Sequence, residues 1–190
     1  MSSPPYDRRT VRTRSLLENA FHRLLQTADY ESITVEDICA HSKVGRSTFY
    51  NHFRNKDDLK RGALDHLRAD LLEFQRQASA GAELDQGFFA FAVPLFEHAR
   101  EHVTDYRVLK HGRGGRVALS RIREIVWELV ANELAAESPA DGGATINQYR
   151  IAFITGACMA LLTRWLADGA RTPSAEMSAL FRQMARAALR

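Results

Sequence analysis

Cysteine is nearly absent from this sequence. The two residues, Cys39 and Cys158, lie far apart, which excludes a disulfide-stapled fold. The opening MSSPPYDRRTVRTR has no apolar leader, so a reducing cytoplasm is the expected compartment. No apolar run approaches the roughly 20 residues that a membrane span needs, so no membrane partner is expected. Strand-like alternation is scarce, and the five prolines and eleven glycines gather at junctions. Charge of one sign is also missing: 26 Lys and Arg against 23 Asp and Glu leave a net charge of +3. A hydrophobic content of 45% with 26% charged residues excludes a disordered chain.

The small charge excess is unevenly placed. Residues 1–62 carry eleven basic and eight acidic side chains, while the rest of the 190 residues carries fifteen of each. All the excess sits in the first third, which hints at a polyanion partner there.

The apolar residues repeat at helical spacing. Leu16, Leu17, Ala20, Phe21, Leu24 and Leu25 form one stripe. SITVEDI (32–38) opens a second helix, with Thr34 and Asp37 as its cap and Ile33 able to staple to Ile38. HSKVG (41–45) ends it, and a third short helix covers roughly 46–52. Asn55 then caps a long fourth helix through about Gln77. SAGAELD (79–85) reads as a loop, 86–103 as an aromatic-rich helix kinked at Pro94, and HGRGGR (111–116) as a break before a helix from about Val117 to Glu137. SPADGGA (138–144) is the clearest linker. Two patterned helices follow, one over 145–168 stopped by Gly169, the other starting at Pro173. The expectation is an all-α chain of about nine helices.

VGRSTFYNHFRNK (44–56) carries the most chemistry. Ser47 and His52 could suggest catalysis, yet no acid completes a relay and the two point to different places. As a helix-turn-helix the same run makes sense. Ile38, Val44, Phe49 and Phe53 pin the second helix, leaving Arg46, Ser47, Thr48 and Asn51 for base edges. Tyr50, His52 and Lys56 have the donors that fix register on phosphates, and Thr34 at the adjacent helix start is a further DNA-binding candidate. Arg8, Arg9, Arg12 and Arg14 form either a groove-tracking arm or a disordered tail.

TVEDICAHSKVGRSTFYNHFRNKDDL resembles the DNA-binding domain of TetR/AcrR-type one-component repressors, strongly over residues 8–62 and only in layout beyond. By position Thr48, Tyr50, His52 and Lys56 match that family's phosphate and base contacts, while Arg46, Ser47 and Asn51 fall at its variable positions. Gly45 departs from the usual serine cap. The resemblance implies a helix-turn-helix DNA-binding domain at 1–62 and a ligand-binding and dimerisation domain at 63–190. It also implies a ligand cavity among the middle helices, for which Phe91, Leu95, His98, His102, Tyr106, Arg107, Trp127 and Met159 are the candidate residues. For dimerisation it implies an antiparallel four-helix interface, with Ala152, Gly156, Ala160, Met177, Leu180, Phe181 and Met184 as candidates.

Two motifs point elsewhere. HAREH (98–102) fits the inverted zinc-peptidase pattern, but that needs a third carboxylate, and nothing selects Glu124 or Glu128. RGG (113–115) reads as a flexible turn rather than an RNA-binding segment. The expected protein is therefore a homodimeric, ligand-responsive regulator that binds a palindromic double-stranded operator and responds to a small, mainly apolar effector. It is not expected to be an enzyme or to hold a metal or cofactor. A co-regulator without DNA binding is the alternative, and a zinc peptidase the remote one.

Overall fold

Helical periodicity becomes α-helices in the structure, a computed structural model; the residues it describes, 5–81, 88–103, 113–137 and 144–189, hold eight. They are α1 (Pro5–Leu25), α2 (Val35–Ser42), α3 (Arg46–His52), α4 (Lys56–Gly81), α5 (Ala92–Glu101), α6 (Arg113–Glu137), α7 (Ala144–Ala167) and α8 (Ser174–Leu189). No strand occurs among the described residues, as expected of an all-α chain. Two compact units emerge. The first holds α1 to α3, α4 as far as Asp65 and α6 as far as Ala118; the second holds the remainder.

The first unit is organised by one apolar cluster. Leu17, Phe21, Leu24 and Leu25 of α1 meet Tyr30, Ile33, Ile38, Cys39, Phe49, Phe53 and Leu59. Burying side chains of this size stabilises by about 1.5–3 kcal/mol each. Leu16, expected in the same stripe, is instead exposed.

In the second unit α5 packs on α8 and α7. Phe89, Phe91 and Phe181 form a ring cluster with centroids 5.8–6.2 Å apart, and Phe96 meets Trp165 edge-on at 5.5 Å. Phe89 adopts a left-handed φ of 52°, which costs a side-chain-bearing residue about 1–3 kcal/mol. Its N–H donates to Glu133 Oε1 at 2.6 Å, and Gln75 Nε2 donates to Glu133 Oε2 at 2.7 Å. That shared carboxylate secures the turn before α5.

Several boundaries differ from the sequence reading. Helix α1 already begins at Pro5, so Arg8, Arg9, Arg12 and Arg14 belong to a helix and not to a tail. Pro94 does not kink α5: it lies in the first turn, where its missing N–H has no partner to lose. Helix α6 starts at Arg113, so Gly114 and Gly115 are buried in its first turn instead of forming a flexible loop. Residues 82–85 of the first expected loop and 138–143 of the linker lie outside the described residues.

Helix α7 is long and apolar enough to cross a membrane by length and composition, contrary to the sequence reading. Only 39% of its apolar window is buried within the chain, which is what a core helix with a second, outward apolar face shows. Ile154, Cys158, Leu162 and Trp165 face inward, while Ile146, Tyr149 and Phe153 face outward. Both cysteines are buried and unpaired; burial raises the Cys39 thiol and pushes Cys158 up to about 12, so neither is a ready thiolate. The αL residue Gly169 follows α7 with φ of 82°, as its place after the last helical turn predicts.

Candidate nucleic-acid interface

Local chemistry sets the entry into α2. Thr34 Oγ1 accepts from the Asp37 N–H at 3.1 Å, and the Asp37 carboxylate takes the Thr34 N–H at 2.8 Å, a reciprocal capping box. Bonds from the Thr34 hydroxyl and N–H hold the Asp37 carboxyl below its ordinary value. Helix α2 closes with Lys43 in the left-handed region, φ 57°, and the Val44 N–H returning to Cys39 O at 3.2 Å. The chain then turns through Val44 and Gly45 into α3.

Helix α3 is seven residues long and too short to hold itself. Phe49, fully buried, and Phe53 anchor it, their rings 5.9 Å apart. The opposite face is wet: Arg46, Ser47, Thr48, Tyr50 and Asn51 are all exposed, and His52 is half-buried beside Phe53. Arg46 makes one loose contact, 3.8 Å to Glu36 on α2, between side chains largely in water. Such a pair contributes well under ~1 kcal/mol and leaves the guanidinium available. The expected Gly45 departure is real, since no side chain caps α3.

Thr34 and Lys56 have other partners. The Thr34 hydroxyl serves the capping box, donating to Asp37 at 2.6 Å. Lys56 Nζ donates to three main-chain carbonyls of the α1–α2 turn: Tyr30 at 2.7 Å, Ile33 at 2.9 Å and Glu31 at 3.2 Å. It also sits 4.6 Å above the Tyr30 ring, whose hydroxyl donates to Asp57. An ammonium has three N–H groups, and all three point at the protein. The start of α4 is likewise self-capped, because Asn55 Oδ1 accepts the Asp58 N–H and Asp58 accepts the Arg54 N–H, each at 2.9 Å. Lys56 thus ties the start of α4 to the α1–α2 turn.

Three residues of this arrangement were missed in the sequence. Tyr30 and Asp57 complete the Lys56 clamp. Gly62 lets Phe53 and Arg14 approach α4, since a Cβ there would meet Phe53 Cε1 at 2.8 Å and Arg14 Nη2 at 2.9 Å. The Arg14 guanidinium lies 4.6 Å over the Phe53 ring, so this arginine belongs to the packing and not to an arm. An isolated glycine inside a helical run was the available signal.

The candidates in the second unit scatter. Phe91, Leu95 and Met159 are buried, Phe91 within the ring cluster, whereas Trp127 is 41% exposed. Tyr106 and Arg107 lie outside the described residues. His98 and His102 stack with ring centroids 4.2 Å apart, and His102 Nδ1 lies 2.9 Å from the His98 carbonyl. The carboxylates imagined as a third zinc ligand have other neighbours. Glu128 takes Arg68 Nε at 2.6 Å, a bond that lowers its carboxyl, and Glu124 pairs with Arg121 at 3.1 Å. No cluster of three or more metal-ligating side chains occurs among the described residues.

Of the expected interface residues, Leu180 and Met184 are exposed on α8, as are Ala152 and Ala160 on α7, with Gly156 between them half-buried. Met177 and Phe181 are not: both are buried within the chain, Phe181 at the ring cluster. Ile146, Tyr149 and Phe153, which the sequence reading passed over, are more than half exposed on the same face of α7 as Gly156 and Ala160.

A capped helix, a tight turn and a second helix presenting hydroxyl, amide and guanidinium groups define a helix-turn-helix DNA-binding protein. Residues 17–61 match the family described as bacterial regulatory proteins, tetR family, and residues 88–187, over half the chain, match one described as a transcriptional regulator C-terminal region. The chain belongs to the tetR family of bacterial transcriptional regulators. It is 38% identical over 78 residues to the HTH-type transcriptional regulator YxbF of Bacillus subtilis, and 32% identical over 65 residues to DhaS of Lactococcus lactis, a dhaKLM operon transcriptional activator. Those segments cover 40% and 34% of this chain, but only 20% and 35% of the relatives. A TetR transcriptional regulator from Streptococcus agalactiae shares the fold, with a TM-score of 0.63, 24% identity, and 95% and 97% of the two chains covered.

Proposed function

We propose that this regulator acts in the cytoplasm as a homodimeric repressor, released from a pseudo-palindromic operator by a small-molecule effector. DNA binding is assigned to residues 1–62, effector binding and dimerisation to 63–190. The exposed face of α3 carries the reading. Arg46, Ser47, Thr48 and Asn51 read bases in the major groove, and Tyr50 and His52 contact phosphates. Lys56 and Thr34 act indirectly, by fixing the turn and helix that set the angle of α3.

Two copies pair through the outward faces of α7 and α8. A stripe of Ile146, Tyr149, Phe153, Leu180 and Met184 is too apolar to be left in water, and Gly156 and Ala160 admit a close helix. The effector acts only through different affinities for the two conformers of the dimer.

Selection from random duplex DNA tests the assignment. An enriched palindrome with half-sites about one helical turn apart is the expected outcome. Arg46→Ala is expected to relax preference at one position per half-site, at a cost of about 1–3 kcal/mol. A chain that enriches nothing is no operator-binding repressor.

A further inference from the structure

Lys43 occupies a position where glycine is the usual residue. It follows α2 with a left-handed φ of 57°, a conformation that crowds Cβ against the following carbonyl oxygen. Its N–H turns back to the Ala40 and Cys39 carbonyls, a closure that glycine makes without strain. The lysine side chain is exposed, and it has no hydrogen bond, ion pair or ring contact among the described residues. The strained residue therefore adds nothing to the packing of the first unit. Within the unit its charge gains only from the C-terminal dipole of α2, an interaction that water and salt weaken.

Arg54 stands at the other end of α3. Its N–H donates to the Asp58 carboxylate at 2.9 Å, which pins the main chain between α3 and α4. Its guanidinium is exposed and likewise has no partner among the described residues. The run from His41 to Lys56 contains no acidic residue, so neither cation has a counter-charge nearby in sequence. Lys43 precedes Arg46, the first residue of α3, by one short turn, and Arg54 follows His52, the last, by a single residue in between. A seven-residue helix is about 10 Å long, and the major groove is about 12 Å wide. With α3 in that groove, the turns at both of its ends come near the phosphate backbones that wall it.

We propose that Lys43 and Arg54 are phosphate contacts that flank the reading helix, one on the turn into α3 and one on the turn out of it. The strain at Lys43 sets an ammonium at a point that glycine would leave uncharged. The two cations read no bases; they fix the depth and register of α3 while Arg46, Ser47, Thr48 and Asn51 do the reading. The proposal rests on the operator-binding reading above and adds two residues to it.

Binding of the full chain to a duplex selected from random DNA, and to one of unrelated sequence, tests it over about 50 to 200 mM salt. Lys43→Gly and Arg54→Gln are each expected to reduce the slope of log K against log salt by about one unit per bound subunit, on both duplexes. Lys43→Arg is expected to keep the slope, and Lys43→Gly to select the same palindrome as the unaltered chain. The urea midpoint of Lys43→Gly should hold or rise, because glycine takes the left-handed conformation freely. A lysine that merely capped the α2 dipole predicts the reverse, a lower midpoint with an unchanged slope. An unchanged slope in either Lys43→Gly or Arg54→Gln, or a different palindrome for Lys43→Gly, overturns the proposal. If the unaltered chain still selects its palindrome in those cases, only these contacts are lost and the regulator reading stands. An unaltered chain that binds neither duplex overturns both.

Discussion

Lys56 is the residue proposed to serve binding without touching the ligand. Its ammonium ties together three carbonyls that would otherwise turn to water, and those carbonyls belong to the turn that presents α2. Lys56→Met is therefore expected to lower unfolding stability by about 1–2 kcal/mol, because partly buried acceptors lose their donor. Operator affinity should fall while the slope of log K against log salt stays unchanged. A slope reduced by about one unit would instead make Lys56 a phosphate contact. Gly62 makes the complementary point about space. Gly62→Ala drives a methyl group into the rigid, buried Phe53 ring, and an overpacking cost of about 1–3 kcal/mol is expected in urea unfolding. A helix-propensity argument predicts the opposite sign for the same change, so the experiment separates propensity from packing.

Among the elements, α2 and α3 were the most legible in the sequence, since their determinants are local. The Thr34–Asp37 box, the Ile38, Phe49 and Phe53 anchors and the Asn55 cap all lie within a few residues of what they control. The contacts of Lys56 were not legible for the converse reason: its acceptors are main-chain carbonyls 23 to 26 positions away, and no side-chain pattern marks a carbonyl. The start of α6 was missed because glycines disfavour helices locally, whereas Gly114 and Gly115 are buried by tertiary packing. Met177 and Phe181 shared a stripe with Leu180 and Met184 in the sequence, and only the packing of α5 against α8 shows which pair turns inward. The uncapped start of α3 yields a prediction of its own. A Cβ at Gly45 meets nothing within 4 Å and its φ of −66° suits any residue. Gly45→Ser should then raise stability by about 0.5–1 kcal/mol, through a new cap and a stiffer unfolded chain. Chemical denaturation reads that gain directly.

For the whole molecule, the proposed pairing through the outward faces of α7 and α8 makes a direct prediction. Phe153→Glu or Met184→Glu places a charge on that apolar stripe, and sedimentation should then show monomers with operator affinity reduced by more than ten-fold. A dimer that survives both changes would pair through another surface. In the first unit, the Lys56 clamp is also expected to set the order in which structure opens. It closes the turn between α1 and α2 against α4, so that turn cannot loosen while the clamp is shut. Amide hydrogens from Ile38 to Phe53 should accordingly exchange together, in one opening event with a single free energy, and not fray helix by helix. In this unit the seven-residue reading helix inherits its lifetime from a lysine that lies outside it.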